Sequence, residues 1–250
     1  MAVVQSSNKK GLQYFSDLAK RLTSCVFSGL KESNHVAIVP DRYDNKHSIK
    51  TDERSRRQSL EAKEIAIESD KQRVPKHFQQ YLNNPCNKIN LVNFIFKHWK
   101  QSLPQWLNTM QYVYLANLDG TTDVITKEGS SQTELQSDHE EADSKMFGYS
   151  KYIIEHNQIE RVVIHSPETD VAVICCFQFA TSLATLHEMW FKTGVGNKAR
   201  YIPIHTAVTT LGTSICRLLP GLHSITGCDS VSSFSGIGKK KSFGRIKEKC

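Results

Sequence analysis

The stretch RVVIHSPETDVAV, residues 161–173, decides the fold that the sequence predicts. Its first half is an apolar run without helical periodicity, which is typical of a buried strand in a parallel sheet. Pro167 ends this run because proline has no N–H to donate to a neighbouring strand, and the acids Glu168 and Asp170 follow at once. In an extended chain these two carboxylates point to the same side. Open α/β sheets place their sites at the carboxyl ends of strands, so we expect a functional site here; a solvated acidic loop is the alternative.

The same order of helix, apolar strand and acid occurs earlier in the chain. Apolar residues at helical spacing predict a helix over residues 12–30, and a strand follows at 35–39, just ahead of Asp41. Further helices are predicted over residues 138–155 and 208–219. Strands that alternate with helices are typical of an α/β fold with a mainly parallel central sheet flanked by helices.

Other segments carry local signals. Residues 48–70 are highly charged and free of Gly and Pro, which favours a helix, and residues 75–107 predict a helical insertion in which Asn90 caps a helix. The polar residues 129–137 predict a loop. Two β-hairpins are predicted, around Asp119-Gly120 and around residues 193–197.

The composition narrows the class of protein. Lys and Arg exceed Asp and Glu by 32 to 25, and the net charge of +7 favours an anionic partner, nucleic acid first. No apolar run is long enough to span a membrane, and residues 1–10 lack the apolar segment of a signal peptide. The seven cysteines are odd in number and none is in CxxC spacing, which predicts a reducing, intracellular compartment without a zinc site or a disulfide-linked partner. Cys175 and Cys176 are predicted to be buried thiols. The ten histidines are scattered along the chain, and we interpret them as ordinary surface or core residues.

Acidic residues follow or open predicted elements at four places in the chain. They are Asp41; Glu140, Glu141 and Asp143; Glu168 and Asp170; and Asp229. Each has a structural interpretation as a turn residue, a helix cap or a first-turn acid that suits the helix dipole. A cluster of carboxylates repels itself unless a cation lies among them. Carboxylates without Cys or His favour Mg²⁺ or Mn²⁺, and two such ions about 4 Å apart suit phosphodiester hydrolysis.

Basic residues form two groups. The first shares one face of the predicted helix and comprises Lys50, Arg54 and Arg57; a solvated charged face is the alternative interpretation. The second follows the glycines Gly236 and Gly238 in the stretch FSGIGKKK. Glycine lets a backbone approach a ligand closely, and a helix N-terminus offers free N–H groups to a phosphate.

Taken in order, these motifs resemble those of the flap-endonuclease branch of the PIN-like 5′ nucleases, including the flap-endonuclease-like open reading frames of animal genomes. The strand before Asp41 and the bases after it resemble the family's strand-Asp and basic helix. Glu141-Ala142-Asp143 resembles the E-A-E/D helix start, and residues 166–170 resemble the strand that ends in D-x-D. Residues 226–229 and 236–239 resemble the G-x-D turn and the helix-two-turn-helix that grips duplex backbone.

The resemblance implies a single PIN-like nuclease domain over residues 1–250, with a helical and hairpin insertion at about 70–135 and a helix-two-turn-helix at about 220–250. It implies metal-dependent phosphodiester hydrolysis of flapped or branched DNA with two Mg²⁺ or Mn²⁺ ions, in an intracellular, nuclear protein. The implied metal ligands and catalytic acids are Asp41, Glu141, Asp143, Glu168, Asp170 and Asp229. Lys50 and Arg54 are implied to act on the scissile phosphate. The implied contacts to nucleic acid are Lys50, Arg54, Arg57, Gly236, Gly238, Lys239 and Lys240.

The chain also departs from the family pattern. Glu168 stands where the family has Asp, and the extra methylene moves the carboxylate by about 1 Å, enough to disturb a metal site. Residues 1–5 resemble those that directly follow the family's first catalytic Asp, so we expect that strand and its Asp to lie upstream of Met1. Cleavage by these 250 residues alone is therefore expected to be weak or absent. Two alternatives stay open: a nucleic-acid-binding pseudo-nuclease and a PIN-type ribonuclease.

Overall fold

Helices and strands alternate along the part of the chain that the computed structural model describes, which is residues 12–42, 63–139, 141–194, 196–228, 235–236 and 238–247. The predicted α/β class is confirmed. The chain divides into two units, Met1–Tyr149 and Ser150–Cys250. Each unit contains a β-sheet with helices.

Helix α1 (Phe15–Leu30) is the first helix among the described residues, and it confirms the helix predicted over residues 12–30. Its apolar stripe is fully buried: Phe15, Leu18, Leu22 and Val26 are at most 4% exposed. Asp17 closes the start of the helix, because its Oδ2 accepts hydrogen bonds from the N–H groups of Gln13 (3.1 Å) and Tyr14 (2.9 Å). The helical periodicity of the apolar residues therefore predicted this helix correctly.

The predicted helical insertion contains helices α2 (Phe78–Tyr81) and α3 (Pro85–Ser102), followed by a 3₁₀ turn at Pro104–Trp106. The prediction that Asn90 caps a helix is wrong. Asn84 is the cap, with its side chain accepting from the N–H of Cys86 at 2.9 Å, because Pro85 suits the first helical position and needs no N–H partner there.

Residues 63–69 form no helix, so the described part of the helix predicted over 48–70 is wrong. The buried Asn87 on α3 holds this segment in irregular form. Its Oδ1 accepts from the N–H of Ile65 at 2.7 Å, and its Nδ2 donates to the carbonyl of Lys63 at 3.0 Å. These bonds satisfy backbone groups that a helix would otherwise pair within itself. Residues 43–62 lie outside the described part of the chain.

The sheet of the first unit has the strand order β1 (His35–Ile38), β2 (Tyr112–Ala116), β3 (Thr122–Thr126) and β4 (Gly129–Gln132). Strands β1 and β2 are parallel, and the other pairs are antiparallel. The hairpin at Asp119-Gly120 is confirmed, with Gly120 at a φ of +92° that suits glycine. The prediction of a loop over residues 129–137 is wrong for its first four residues, because residues 129–132 form β4 and pair with β3.

Helix α4 (Ala142–Asn157) precedes the sheet of the second unit, which has the order β5 (Arg161–His165), β6 (Glu188–Thr193) and β7 (Arg200–Pro203). Strands β5 and β6 are parallel, while β6 and β7 form the second predicted hairpin. A mainly parallel sheet is therefore confirmed only in part. The predicted burial of β5 is wrong: Ile164 is buried, but Val163 is 41% exposed, because the described residues do not fully cover the Val163 side of this strand.

Helices complete the second unit. They are α5 (Thr169–Ala180), α6 (Ile204–Leu211), α7 (Thr213–Ile225) and α8 (Lys239–Lys247). The single helix predicted over 208–219 is two helices, because Gly212 has a φ of +82° that interrupts the helical path. Helices α7 and α8 lie where the helix-two-turn-helix was expected, but residues 229–234 between them are outside the described part, so that element stays a prediction.

Two further expectations concern the cysteines and membranes. The thiols of Cys175 and Cys176 are buried, as predicted, and the cysteines in the described ranges are all free. Within those ranges, none of the helices has the length and apolar character needed to cross a membrane.

Candidate functional site

Asp41 links the end of strand β1 to the start of helix α4. It lies three residues beyond the strand, and its Oδ1 accepts a hydrogen bond from the N–H of Ala142 at 3.0 Å. Ala142 is the first residue of α4 and is flanked by Glu141 and Asp143, so this contact brings the three predicted acids of the first unit to one place. All three are half-buried.

This contact has a clear electrostatic basis. The first N–H groups of an α-helix have no partner within the helix, and the helix dipole places partial positive charge there. The Asp41 carboxylate satisfies one of these groups, while Glu141 precedes the helix and Asp143 lies in its first turn. The helix start therefore stabilises several negative charges in a small volume.

Lys145 is a member of this region that the sequence interpretation missed. Its side chain is 1% exposed, and its backbone N–H donates to the backbone carbonyl of Glu141 at 3.2 Å, as in a helical turn. A buried ammonium group is stable only with anionic or polar partners, and residues four apart share one helix face. Lys145 is therefore a buried cation one helical turn after Glu141, and the spacing of these two residues was the available signal.

In the second unit, Glu168 and Asp170 stand at the carboxyl end of β5, as predicted, but their geometry differs. Glu168 is the N-cap of α5 with extended backbone, and its N–H donates to Ser166 Oγ at 3.2 Å. Asp170 already lies in the first helical turn. The prediction that an extended chain points both carboxylates to one side is therefore wrong, because the helix begins at Thr169.

His223 on α7 contacts Asp170 directly. Its Nε2 lies 2.9 Å from Asp170 Oδ1, and the two side chains are 15% and 30% exposed. The ring N–H is not aligned for a hydrogen bond, so the attraction is that of an ion pair when the imidazole is protonated. The interpretation of the histidines as ordinary missed this contact. No spacing in the sequence signals it, since the packing of α5 against α7 creates it.

The remaining predicted site residues fall into two groups. Lys50, Arg54, Arg57 and Asp229 lie outside the described residues. The C-terminal group is described, and its members are exposed: Gly236, Gly238, Lys239 and Lys240. Helix α8 begins at Lys239, as the sequence predicted, and Gly236 has a φ of +75°.

The described acids do not by themselves complete a metal centre. Within the described ranges, no three or more His, Cys, Asp or Glu side chains are grouped closely enough to hold a metal ion. The ligand set that the resemblance implies also includes Asp229, so the two-ion site stays a prediction. Two surface cavities of the first unit, of about 590 and 300 Å³, are lined by other residues than these acids.

Comparison of the chain with protein-family models, with curated proteins and with solved structures yields no match in any of the three. The function is therefore inferred from the site residues and their chemistry.

Proposed function

We propose that this chain is a metal-dependent nuclease that hydrolyses phosphodiester bonds in flapped or branched DNA. The hydrogen bond from the N–H of Ala142 to Asp41 carries the proposal. It joins a strand-end acid to the acids that open α4, and strand β1 has a parallel partner. The carboxyl ends of such strands are where α/β proteins place their sites. In the second unit, Glu168 and Asp170 follow β5, which is also paired in parallel.

The chemistry of these side chains suits the reaction. Carboxylates are the ligands that Mg²⁺ and Mn²⁺ prefer, and such ions, when bound, activate water and neutralise charge on the phosphate. Asp41, Glu141, Asp143, Glu168, Asp170 and Asp229 are the proposed ligands. The start of α8 offers N–H groups and lysines to the phosphate backbone. The proposal includes a PIN-like fold with a C-terminal helix-two-turn-helix, and a nuclear location.

A second candidate function is nucleic-acid binding without cleavage. Two contacts favour it: Asp41 is bound to the backbone of α4, and Asp170 is paired with His223. Carboxylates that already have protein partners are less available to a metal ion. The basic start of α8 would then be the functional surface, and the acids would stabilise the fold.

A cleavage and binding assay separates the two candidates. Flapped DNA is incubated with Mn²⁺ and the chain extended upstream of Met1 by the strand and Asp that the resemblance implies, and the same DNA is used in binding titrations with Ca²⁺; in this assay the extended chain is the wild type. The variants Asp143→Asn and Asp170→Asn change one acid in each unit. Glu155→Gln is the control, since Glu155 is an exposed acid on α4 that contacts Lys151 at 3.9 Å.

We expect both site variants to lose cleavage by at least about a hundredfold, the scale of losing one contact to transition-state charge, with little change in binding. The control should cleave like the wild type. Binding without cleavage by the wild type, with either Mg²⁺ or Mn²⁺, supports the second candidate instead. Cleavage that survives both substitutions contradicts the proposed site, and a folded protein that neither binds nor cleaves contradicts both candidates.

A further inference from the structure

One face of the sheet in the second unit carries apolar and basic side chains at its surface. The register pairs Val163 with Trp190 and Lys192 with Tyr201, and paired residues project to the same side of a sheet. We call this side the outer face. The opposite side is the core side, where Met189 and Phe191 are at most 1% exposed.

The outer face exposes large apolar groups. Tyr201 is 42% exposed and Val163 is 41% exposed. Trp190 pairs with Val163 in the register and is held in place, since its Nε1 donates to Glu188 Oε2 at 2.9 Å. The ammonium group of Lys192 lies 4.9 Å from the centre of the Tyr201 ring, a cation–π distance. Aromatic and cationic groups are thus interleaved on one surface.

The charge of this surface is positive. The acid on this face is Glu188. Its Oε2, which accepts from Trp190, also accepts from Arg161 Nε at 2.6 Å, so the charge of Glu188 is balanced within the face. The hydrogen bonds from Trp190 and then Arg161 hold the pKa of Glu188 below its ordinary value. Residues 189–203 contain no acid, and the turn of the hairpin adds the exposed Lys198 to Lys192.

We propose that the outer face binds single-stranded nucleic acid, with bases against Tyr201, Val163 and Trp190 and phosphates near Lys192 and Lys198. Exposed aromatic rings set among cations bind unstacked bases without sequence preference, whereas a duplex keeps its base faces covered. The inference rests on the proposed function for nucleic acid as the partner. It assigns the single-stranded arm of a flapped substrate to a surface built from residues other than the acids.

The test measures binding of a fluorescein-labelled oligothymidylate by anisotropy over a series of salt concentrations. Tyr201→Ala should weaken binding about tenfold through lost stacking. Lys192→Ala should weaken it several-fold and make the slope of log K against log salt less negative by about 0.7, as for one phosphate contact on a single strand. Glu188→Gln should strengthen binding, because it removes the acid and keeps an acceptor for Trp190.

Matched controls come from elsewhere in the chain. Lys151→Ala removes an exposed lysine, and Trp106→Ala removes an aromatic side chain that is 68% exposed; both should bind like the wild type. Tyr201→Leu keeps apolar bulk without the ring, so it tests stacking even if the alanine variant folds poorly.

The outcomes distinguish this inference from the proposed function. Unchanged affinity in the Lys192 and Tyr201 variants overturns the outer face as a binding surface and leaves the nuclease proposal standing. A lowered unfolding midpoint with unchanged affinity overturns it as well, because the face would then be a packing surface. Conversely, Asp170→Asn should abolish cleavage and leave oligothymidylate binding intact. A defect in cleavage can therefore be distinguished from a defect in binding at the outer face.

Discussion

Asp41 is a single residue that serves both the fold and the proposed chemistry. Its carboxylate follows a strand, as the family resemblance implies for a metal ligand, and it also accepts the N–H of the first residue of α4. These two roles make different demands. The helix needs only an acceptor atom, whereas a divalent cation needs a charged carboxylate. Substitutions can therefore separate them.

We expect Asp41→Ala to lower the free energy of unfolding by about 1 kcal/mol, the usual cost of losing a helix cap. Asp41→Asn keeps an acceptor oxygen and should lose less stability while losing cleavage. Urea unfolding measures the first effect and the DNA assay the second. Asp138→Ala removes a nearby exposed acid and serves as control. Equal stability of Asp41→Ala and the wild type would show that the cap contributes nothing.

His35 is a second residue with a measurable role. Its ring stacks on Tyr112, with centroids 4.9 Å apart and planes 5° apart, and burial lowers its pKa below 6.5. The unfolded chain therefore binds a proton more readily than the folded one. Stability contributed by this group is present above pH about 6.5 and is lost as the pH falls below that value.

We expect the free energy of unfolding to decrease between pH about 7 and about 5, and His35→Gln to make this decrease smaller. His165 has a pKa shifted the same way by burial and by Lys192, so part of the dependence should persist. Denaturant unfolding at several pH values checks this prediction. An identical pH dependence in wild type and His35→Gln would refute the assignment to His35.

At the scale of elements, two glycines show how the same substitution can have opposite effects. Gly148 is exposed in the middle of α4, and a Cβ added there meets nothing within 4 Å. Gly194 ends β6 with a φ of +81°, and an added Cβ would lie 2.2 Å from the carbonyl oxygen of Lys198. The first glycine is a cost to its helix, while the second is required by its turn.

We expect Gly148→Ala to raise the free energy of unfolding by about 0.5–1 kcal/mol. Gly194→Ala should lower it by more than about 1 kcal/mol, since both the dihedral angle and the contact oppose a side chain. Thermal unfolding of the two variants in parallel checks both signs. A neutral Gly194→Ala would mean that the β6–β7 turn can rearrange at little cost.

At the scale of the whole molecule, the cysteine thiols distinguish buried from exposed parts of the chain. Cys25 and Cys86 are exposed, while Cys175, Cys176 and Cys216 are buried. Burial raises the pKa of Cys176 to about 11 and that of Cys175 still further. Since the thiolate is the reactive form, these two groups should react slowly in the folded protein.

We expect a thiol reagent to label Cys25 and Cys86 rapidly and the three buried thiols only after unfolding. With Cys25, Cys86, Cys228 and Cys250 replaced by Ser, the labelling rate should follow the denaturant dependence of unfolding. Mass spectrometry of labelled peptides assigns the sites. Rapid labelling of Cys175 under native conditions would mean that the core of the second unit opens easily.

Local patterns in the sequence determined much of this protein. Helical spacing alone located α1 and its buried stripe, and glycine-containing turns located both hairpins. The order of strand and acid indicated that Asp41, Glu168 and Asp170 stand at strand ends, as they do. These features are decided by neighbouring residues, whose effects act over a few positions and leave a readable period.

Only the tertiary structure decided the contacts that bring distant residues together. The hydrogen bond of Asp41 to Ala142, the ion pair of Asp170 with His223 and the bonds of Asn87 to residues 63–65 each join separate segments. No local period encodes such pairs, because they depend on how whole helices and strands pack. The exposure of β5 belongs to the same class, since an apolar strand is buried only where another element covers it.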